Sequence, residues 1–245
     1  MKKWFKVAVA VAGMLTVSYA AYAQRPYVQE GDGRKVVGDK IQANEQGMIK
    51  LTVGRAVRTF RREEYDFAFT PKPQEVAALE QMLKNQQYEE ITKRIGQVFE
   101  RYKFLGWAGR LAYIRAEALS GMGKPEQALQ ILEASEPYVH LNKMQFRMAK
   151  ASALLKTDQL EEAEQVLTEL KKSESDDVAA YAFNTTGELL AKKGRQKEAV
   201  LEYLKTLLVI EPADDNAHAQ NVAREQVVKL LKGMNDQRYK QFVKE

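Results

Sequence analysis

The sequence predicts a mainly α-helical chain made of repeated helix pairs, with a small β unit in front of them. Three observations carry this. From Gln74 onward, apolar residues recur at spacings of three and four, the period of one buried face of an α-helix. Breaks near Gln86, Gly106, Gly123, Asp158, Ser175, Gly194, Pro212 and Gly233 cut that region into about ten helices joined by short turns. Ahead of it, Ile49, Leu51 and Val53 alternate with Met48, Lys50 and Thr52, the period-two pattern of a strand.

Residues 1–23 read as a secretory signal. Lys2, Lys3 and Lys6 give a basic start, Val7–Ala20 is apolar, and Ala21, Tyr22 and Ala23 precede Gln24, which places small residues at both specificity positions of a cut between Ala23 and Gln24. The alternative is an uncleaved membrane anchor, the one route by which a membrane would be involved. The apolar stretch is shorter than the roughly 20 residues of a spanning helix and holds Gly13, Thr16 and Ser18. The formal net charge of +5 includes those three lysines; without them the chain carries 35 basic and 33 acidic residues. That near balance argues against nucleic acid as a partner, which needs a concentrated basic face. Zero cysteines exclude a lipid-modified cysteine and a disulfide framework.

Residues 24–33 are polar and hold Pro26, Gly31 and Gly33, and read as a flexible arm. Residues 34–70 read as a small β unit of three strands. Val36, Val37 and Ile41 lead to the turn Asn44–Gly47, Met48–Val53 completes a hairpin, and Ala56–Phe60 adds a third strand. Tyr65, Phe67 and Phe69 stand at alternate positions in either a fourth short strand or an aromatic linker packed against the first helices. Pro71 and Pro73 bar helix before them and suit a helix starting after them, so residues 71–245 form the helical part.

Within it, three stretches share one spacing: Ala116, Leu119, Gly123, Ala128, Leu132; Ala151, Leu154, Asp158, Ala163, Leu167; and Gly187, Leu190, Gly194, Ala199, Tyr203. A weaker copy, Leu79, Met82, Gln86, Ile91 and Ile95, keeps the offsets and loses both small residues. These residues resemble the tetratricopeptide repeat (TPR), which pairs two antiparallel helices in about 34 residues with small side chains where they cross. The resemblance spans roughly Gln74 to Leu231. It implies a right-handed α-solenoid of about four TPR-like helix pairs, closed by a C-terminal solvating helix over Asp214–Leu231 with Val222, Val227, Leu230 and Leu231 turned inward. The chain departs from the family in its spacings of 35 and 36 residues, and in having Ala112, Arg147 and Phe183 where the family's tryptophan stands.

Catalytic constellations do not emerge, and no enzyme activity, cofactor or metal is expected. Thiol chemistry is excluded, and His140 and His218 lie in no metal-ligand spacing. The acid pairs Glu89–Glu90, Glu161–Glu162 and Asp176–Asp177 fall at helix starts, where they offset exposed backbone N–H groups.

In TPR proteins the concave face is lined by first helices. The resemblance therefore implies a protein-binding groove of Arg110, Tyr113, Glu117, Gln145, Met148, Ser152, Tyr181, Asn184 and Glu188. Family members that grip a C-terminal carboxylate use Lys, Arg and Asn at such positions. Here Asn184 alone fits and Glu117 and Glu188 would repel an acidic tail, so a neutral or basic segment is the expected partner. The expected function is a non-catalytic scaffold or adaptor of the bacterial cell envelope, periplasmic or secreted. The alternative is binding of an envelope polymer or membrane surface through Arg55, Arg58, Arg61 and Arg62 of the β unit.

Overall fold

The computed structural model describes residues 25–213 and 216–243. The expected signal segment, with its Ala23–Gln24 junction, lies outside the described residues. The described chain is mainly helical, with two small antiparallel sheets at its N-terminal end. It divides into two compact units, Met1–Ile114 with Pro137–Leu141, and Arg115–Glu136 with Asn142–Glu245.

The first unit begins with strands β1 (Tyr27–Glu30), β2 (Lys35–Val37), β3 (Lys40–Ala43), β4 (Ile49–Val53), β5 (Ala56–Phe60) and β6 (Tyr65–Phe69). They form two three-stranded antiparallel sheets, ordered β2-β1-β6 and β3-β4-β5. The hairpin expected at Asn44–Gly47 joins β3 to β4, and Gly54–Arg55 makes a two-residue turn closed by the Val53–Ala56 pair, with Gly54 at φ +60°. Val28, Ile41, Ile49, Leu51, Phe60, Tyr65 and Ala68 meet in one core with Leu105. Each large aliphatic side chain removed from water there contributes about 1.5–3 kcal/mol.

Two expectations change. Residues 25–33 are not a loose arm: β1 is the central strand of its sheet, paired to both β2 and β6, and Val28 is fully buried. One inward side chain among Tyr27, Gln29 and Glu30 leaves no periodic trace, because β1 is made by distant partners rather than by its own pattern. The Val36–Ile41 run is also two strands in different sheets. Gly38 allows the passage, since a Cβ there would lie 2.5 Å from Leu51 Cδ1 and 2.6 Å from the Thr52 carbonyl. The three-stranded unit is thus six strands, and Tyr65–Phe69 takes the strand alternative.

Helices α1 (Gln74–Lys84) and α2 (Tyr88–Tyr102) follow the two prolines. Between α2 and α3 (Ala108–Gly121) the chain breaks at Lys103–Trp107, where Leu105 and Gly106 leave helical geometry and Gly106 sits at φ +85°. The Thr70 N–H donates to the Leu105 carbonyl (3.2 Å), and Trp107 Nε1–H donates to the Thr70 carbonyl (2.9 Å). Phe69 stacks on Trp107, so the break is clamped to the end of β6.

The second unit holds the later part of α3, then α4 (Pro125–Ser135), α5 (Lys143–Lys156), α6 (Leu160–Leu170), α7 (Asp176–Lys192), α8 (Gln196–Leu208) and α9 (Ala217–Gly233). From α4 onward each helix packs on the next, and α5 also packs on α7, and α7 on α9. The small residues Ala116, Ala128, Ala151, Ala163 and Ala199 are all at most 1% exposed. In α7 the small residue is Gly187, and its partner Tyr203 is larger than the leucine found there in the two earlier stretches. A Cβ on Gly187 would come within 2.7 Å of the Tyr203 ring.

Helix ends repeat as well. Gln86, Gly123, Asp158 and Gly194 occupy the third position of the four stretches, and all have φ between +56° and +75°. After each, the next residue donates its N–H five residues back: Gln87 to Met82, Lys124 to Leu119, Gln159 to Leu154 and Arg195 to Leu190, all at 2.8–2.9 Å. This is the Schellman stop, which satisfies carbonyls left over at a helix C-terminus. Asn235, with Asp236 bonded to Leu231, ends α9 in the same way. The three acid pairs lie in the first turns of α2, α6 and α7. Val227 and Leu231 of α9 are buried, with Val222 and Leu230 half-buried beside them.

Candidate protein-interaction face

The residues expected to line a groove divide between the two units. In the first, Arg110 Nε donates to Glu80 Oε1 at 2.7 Å, and its guanidinium lies 5.2 Å from the Tyr113 ring centroid. Lys72 holds the same Glu80 carboxylate at 2.8 Å. The Arg110 charge is therefore already compensated within the unit.

In the second unit, α3, α5 and α7 supply Glu117, Gln145, Met148, Ser152, Tyr181, Asn184 and Glu188. Tyr181 is half-buried, and its hydroxyl donates to the Met148 carbonyl at 2.7 Å. Burial pushes its phenol pKa up strongly, and the nearby Glu117 and Glu188 carboxylates add to that shift. Burial also raises the Glu117 carboxyl above the usual carboxylate range, with only the Lys156 charge acting against it. No hydrogen bond or ion pair holds Glu117 among the described residues, while Glu188 on α7 is exposed. Met148, Ser152 and Gln145 are half-buried and leave part of their surface to solvent. The assembled feature is a partly dry tyrosine and methionine surface carrying two carboxylates.

Asn184 is not part of it. Its amide donates to the Ala219 carbonyl (2.8 Å) and accepts from the Thr206 hydroxyl (2.8 Å), and only 9% of the residue is exposed. Gln220 extends this network by donating to the Thr206 and Ile210 carbonyls, so buried polar side chains join α7, α8 and α9. Counting helix positions placed Asn184 on the open wall; the docking of α9 encloses it. Thr185 and Thr186 are buried too, and their hydroxyls donate back to the Tyr181 and Ala182 carbonyls.

The four arginines of the β unit, Arg55, Arg58, Arg61 and Arg62, are all exposed. Arg58 pairs with Glu30 (3.3 Å) and lies over Phe60, while Arg62 donates to the Tyr65 carbonyl and lies over the Tyr65 ring. Lys156, at the end of α5 and beyond the positions taken from the resemblance, is a charged neighbour of Glu117 that the repeat offsets did not point to. Among the described residues no group of three or more His, Asp or Glu side chains is placed to hold a metal ion, and no helix is long and apolar enough to cross a membrane.

No protein-family model matches the chain, and no curated protein matches it in sequence.

Proposed function

We propose that this chain is a non-catalytic scaffold that binds a neutral or basic protein segment on the first-helix wall of a TPR-like right-handed solenoid. The observation that carries the reading is the alternation of contacts in the second unit: α5 packs on α7 and α7 on α9, so every second helix belongs to one wall. The recurring Schellman stops and the buried alanines at fixed offsets support the same repeat. The chemistry of the wall supports the partner class. Glu117, desolvated and without a bonded partner among the described residues, is stabilised by an arriving cation and destabilised further by an arriving anion. Half-buried Met148 and Tyr181 offer adaptable and aromatic contact area, the residue types that anchor interfaces.

Export is part of the reading and rests on residues 1–23, whose basic, apolar and small-residue regions follow the order of a secretory signal. A periplasmic or secreted adaptor is the resulting assignment. Quantitative affinity capture from envelope extracts tests it, using the wild-type chain and a Glu117→Gln/Glu188→Lys double variant as bait. A protein captured by the wild type should fall at least tenfold with the double variant, while the variant melts no lower than the wild type. Equal capture by both removes this wall as the binding site.

A further inference from the structure

The first unit carries an unfilled strand position that the repeat does not explain. β3 is the outer strand of its sheet, with β4 on one side and, among the described residues, no strand on the other. The ladder fixes which of its backbone groups are used. Asn44 N–H donates to the Met48 carbonyl (3.0 Å), and Lys40 and Gln42 face Thr52 and Lys50 in the same register. Antiparallel strands bond through alternate residues, so Lys40, Gln42 and Asn44 direct their N–H and C=O groups toward β4, while Ile41 and Ala43 direct theirs away from the sheet. On that side lies an open cleft of about 600 Å³, walled by Lys40–Ala43, Pro71, Pro73, Tyr102 and Leu105. It adjoins a second hollow of about 510 Å³ that runs past Pro26 and Asp39. Among the described residues no backbone hydrogen bond from the facing wall reaches Ile41 or Ala43, and Pro71 and Pro73 in that wall have no N–H to offer.

Charge and side-chain direction state what would fit. The Ile41 side chain turns into the core and Lys40 and Gln42 turn to solvent, with Lys50 next to Gln42 on the same outer face. Lys40 and Lys50 have no ion-pair partner among the described residues. The other charges at the cleft are matched, Arg25 with Asp39 and Arg101 with Glu75. A strand laid along β3 would place alternate side chains over the Leu105, Tyr102 and Pro71 surface and the others beside Lys40, with Lys50 one strand further in. Cross-strand neighbours of opposite charge are favoured.

We propose that β3 accepts an extended peptide segment of a partner protein as an added strand, and that this segment alternates apolar and acidic residues. The main-chain bonds to Ile41 and Ala43 supply affinity, and Lys40 selects the charge. This surface is separate from the helical wall and opposite to it in charge preference, so it does not rest on the proposed function.

The test uses the ¹⁵N-labelled chain and a blocked hexapeptide, Val-Glu-Val-Glu-Val-Glu. Saturable amide shifts are expected at Ile41 and Ala43. Two further peptides carry N-methyl groups either on the valine or on the glutamate nitrogens. Because only alternate nitrogens face β3, one of these should bind at least tenfold more weakly than the other, the effect of one or two backbone hydrogen bonds. Ala43→Pro removes a donor the sheet does not use and should weaken the parent peptide about tenfold, and Lys40→Glu should weaken it as well. The absence of saturable shifts at Ile41 and Ala43 overturns the proposal. So does equal affinity of the two methylated peptides, a result independent of whether the proline variant folds.

Discussion

The Tyr181 hydroxyl donates to the Met148 backbone carbonyl at 2.7 Å and so ties α7 to α5 across 33 residues of sequence. Two more bonds of similar span join α7 to α5 and to α9. Lys192 Nζ donates to the Leu155 carbonyl (2.9 Å, 37 residues), and Asn184 to the Ala219 carbonyl (2.8 Å, 35 residues). These bonds link every second helix from α5 to α9. Tyr181→Phe keeps the ring and leaves the Met148 carbonyl without this donor, so it should cost about 1–2 kcal/mol in urea unfolding. An unchanged midpoint would mean water replaces the hydroxyl at no cost.

Gly187 and Tyr203 are a matched pair of volumes at the α7–α8 crossing. Gly187→Ala forces a methyl against the ring and should cost about 1–3 kcal/mol. Adding Tyr203→Leu restores the alanine and leucine combination of the two earlier stretches, and should recover at least half of that loss. The double-mutant cycle in thermal melts measures the coupling. Additive losses would show that the two residues do not compete for one space.

Gln86 holds φ +56°, a conformation that costs a residue with a Cβ about 1 kcal/mol and costs glycine almost nothing. Gly123 and Gly194 already use glycine at the equivalent stop. Gln86→Gly should therefore raise the melting temperature by about 2–4 °C. A lowered melting temperature would mean that the Gln86 side chain contributes more than the strain it carries.

These positions show what was legible in the sequence. The offsets that link Leu119, Gly123 and Ala128 predict a helix, a break and a close crossing at a small residue, because each is a local demand on side-chain size or backbone shape. Sheet pairing was less visible. β1 depends on β2 and β6, the latter more than 30 residues away, and Val28 alone marks its inward face. Asn184 was misplaced for a related reason: helix counting gives direction from the axis, while the covering of that direction by α9 is a tertiary fact. Glu117 is expected in a groove from the resemblance alone, while its loss of hydration is a property of the packing of α3 and its neighbours.

Glu117 gives the second unit a pH dependence. Its raised folded pKa means the folded chain binds this proton more tightly than the unfolded chain does. Its contribution to stability therefore grows as pH falls from neutral through the folded pKa, and levels off below the ordinary glutamate range. Above the folded pKa the ionised, desolvated carboxylate is destabilising. Glu117→Gln should melt higher than wild type at neutral pH, with the difference shrinking toward about pH 4. A difference independent of pH would show that the glutamine acts through packing instead.

Site-specific photo-crosslinking in intact cells addresses the scaffold reading most directly. The crosslinker is placed at Met148 or Glu188 on the first-helix wall, and at exposed Gln165 on α6 as the comparison position. The expected result is one shared partner captured from positions 148 and 188, absent from position 165 and lost when Glu117→Gln is combined with the labelled Met148 chain or with Glu188→Lys. Capture of the same partner with equal yield from position 165, or no capture from the wall at all, would contradict the assignment of this chain as a TPR-like binding scaffold.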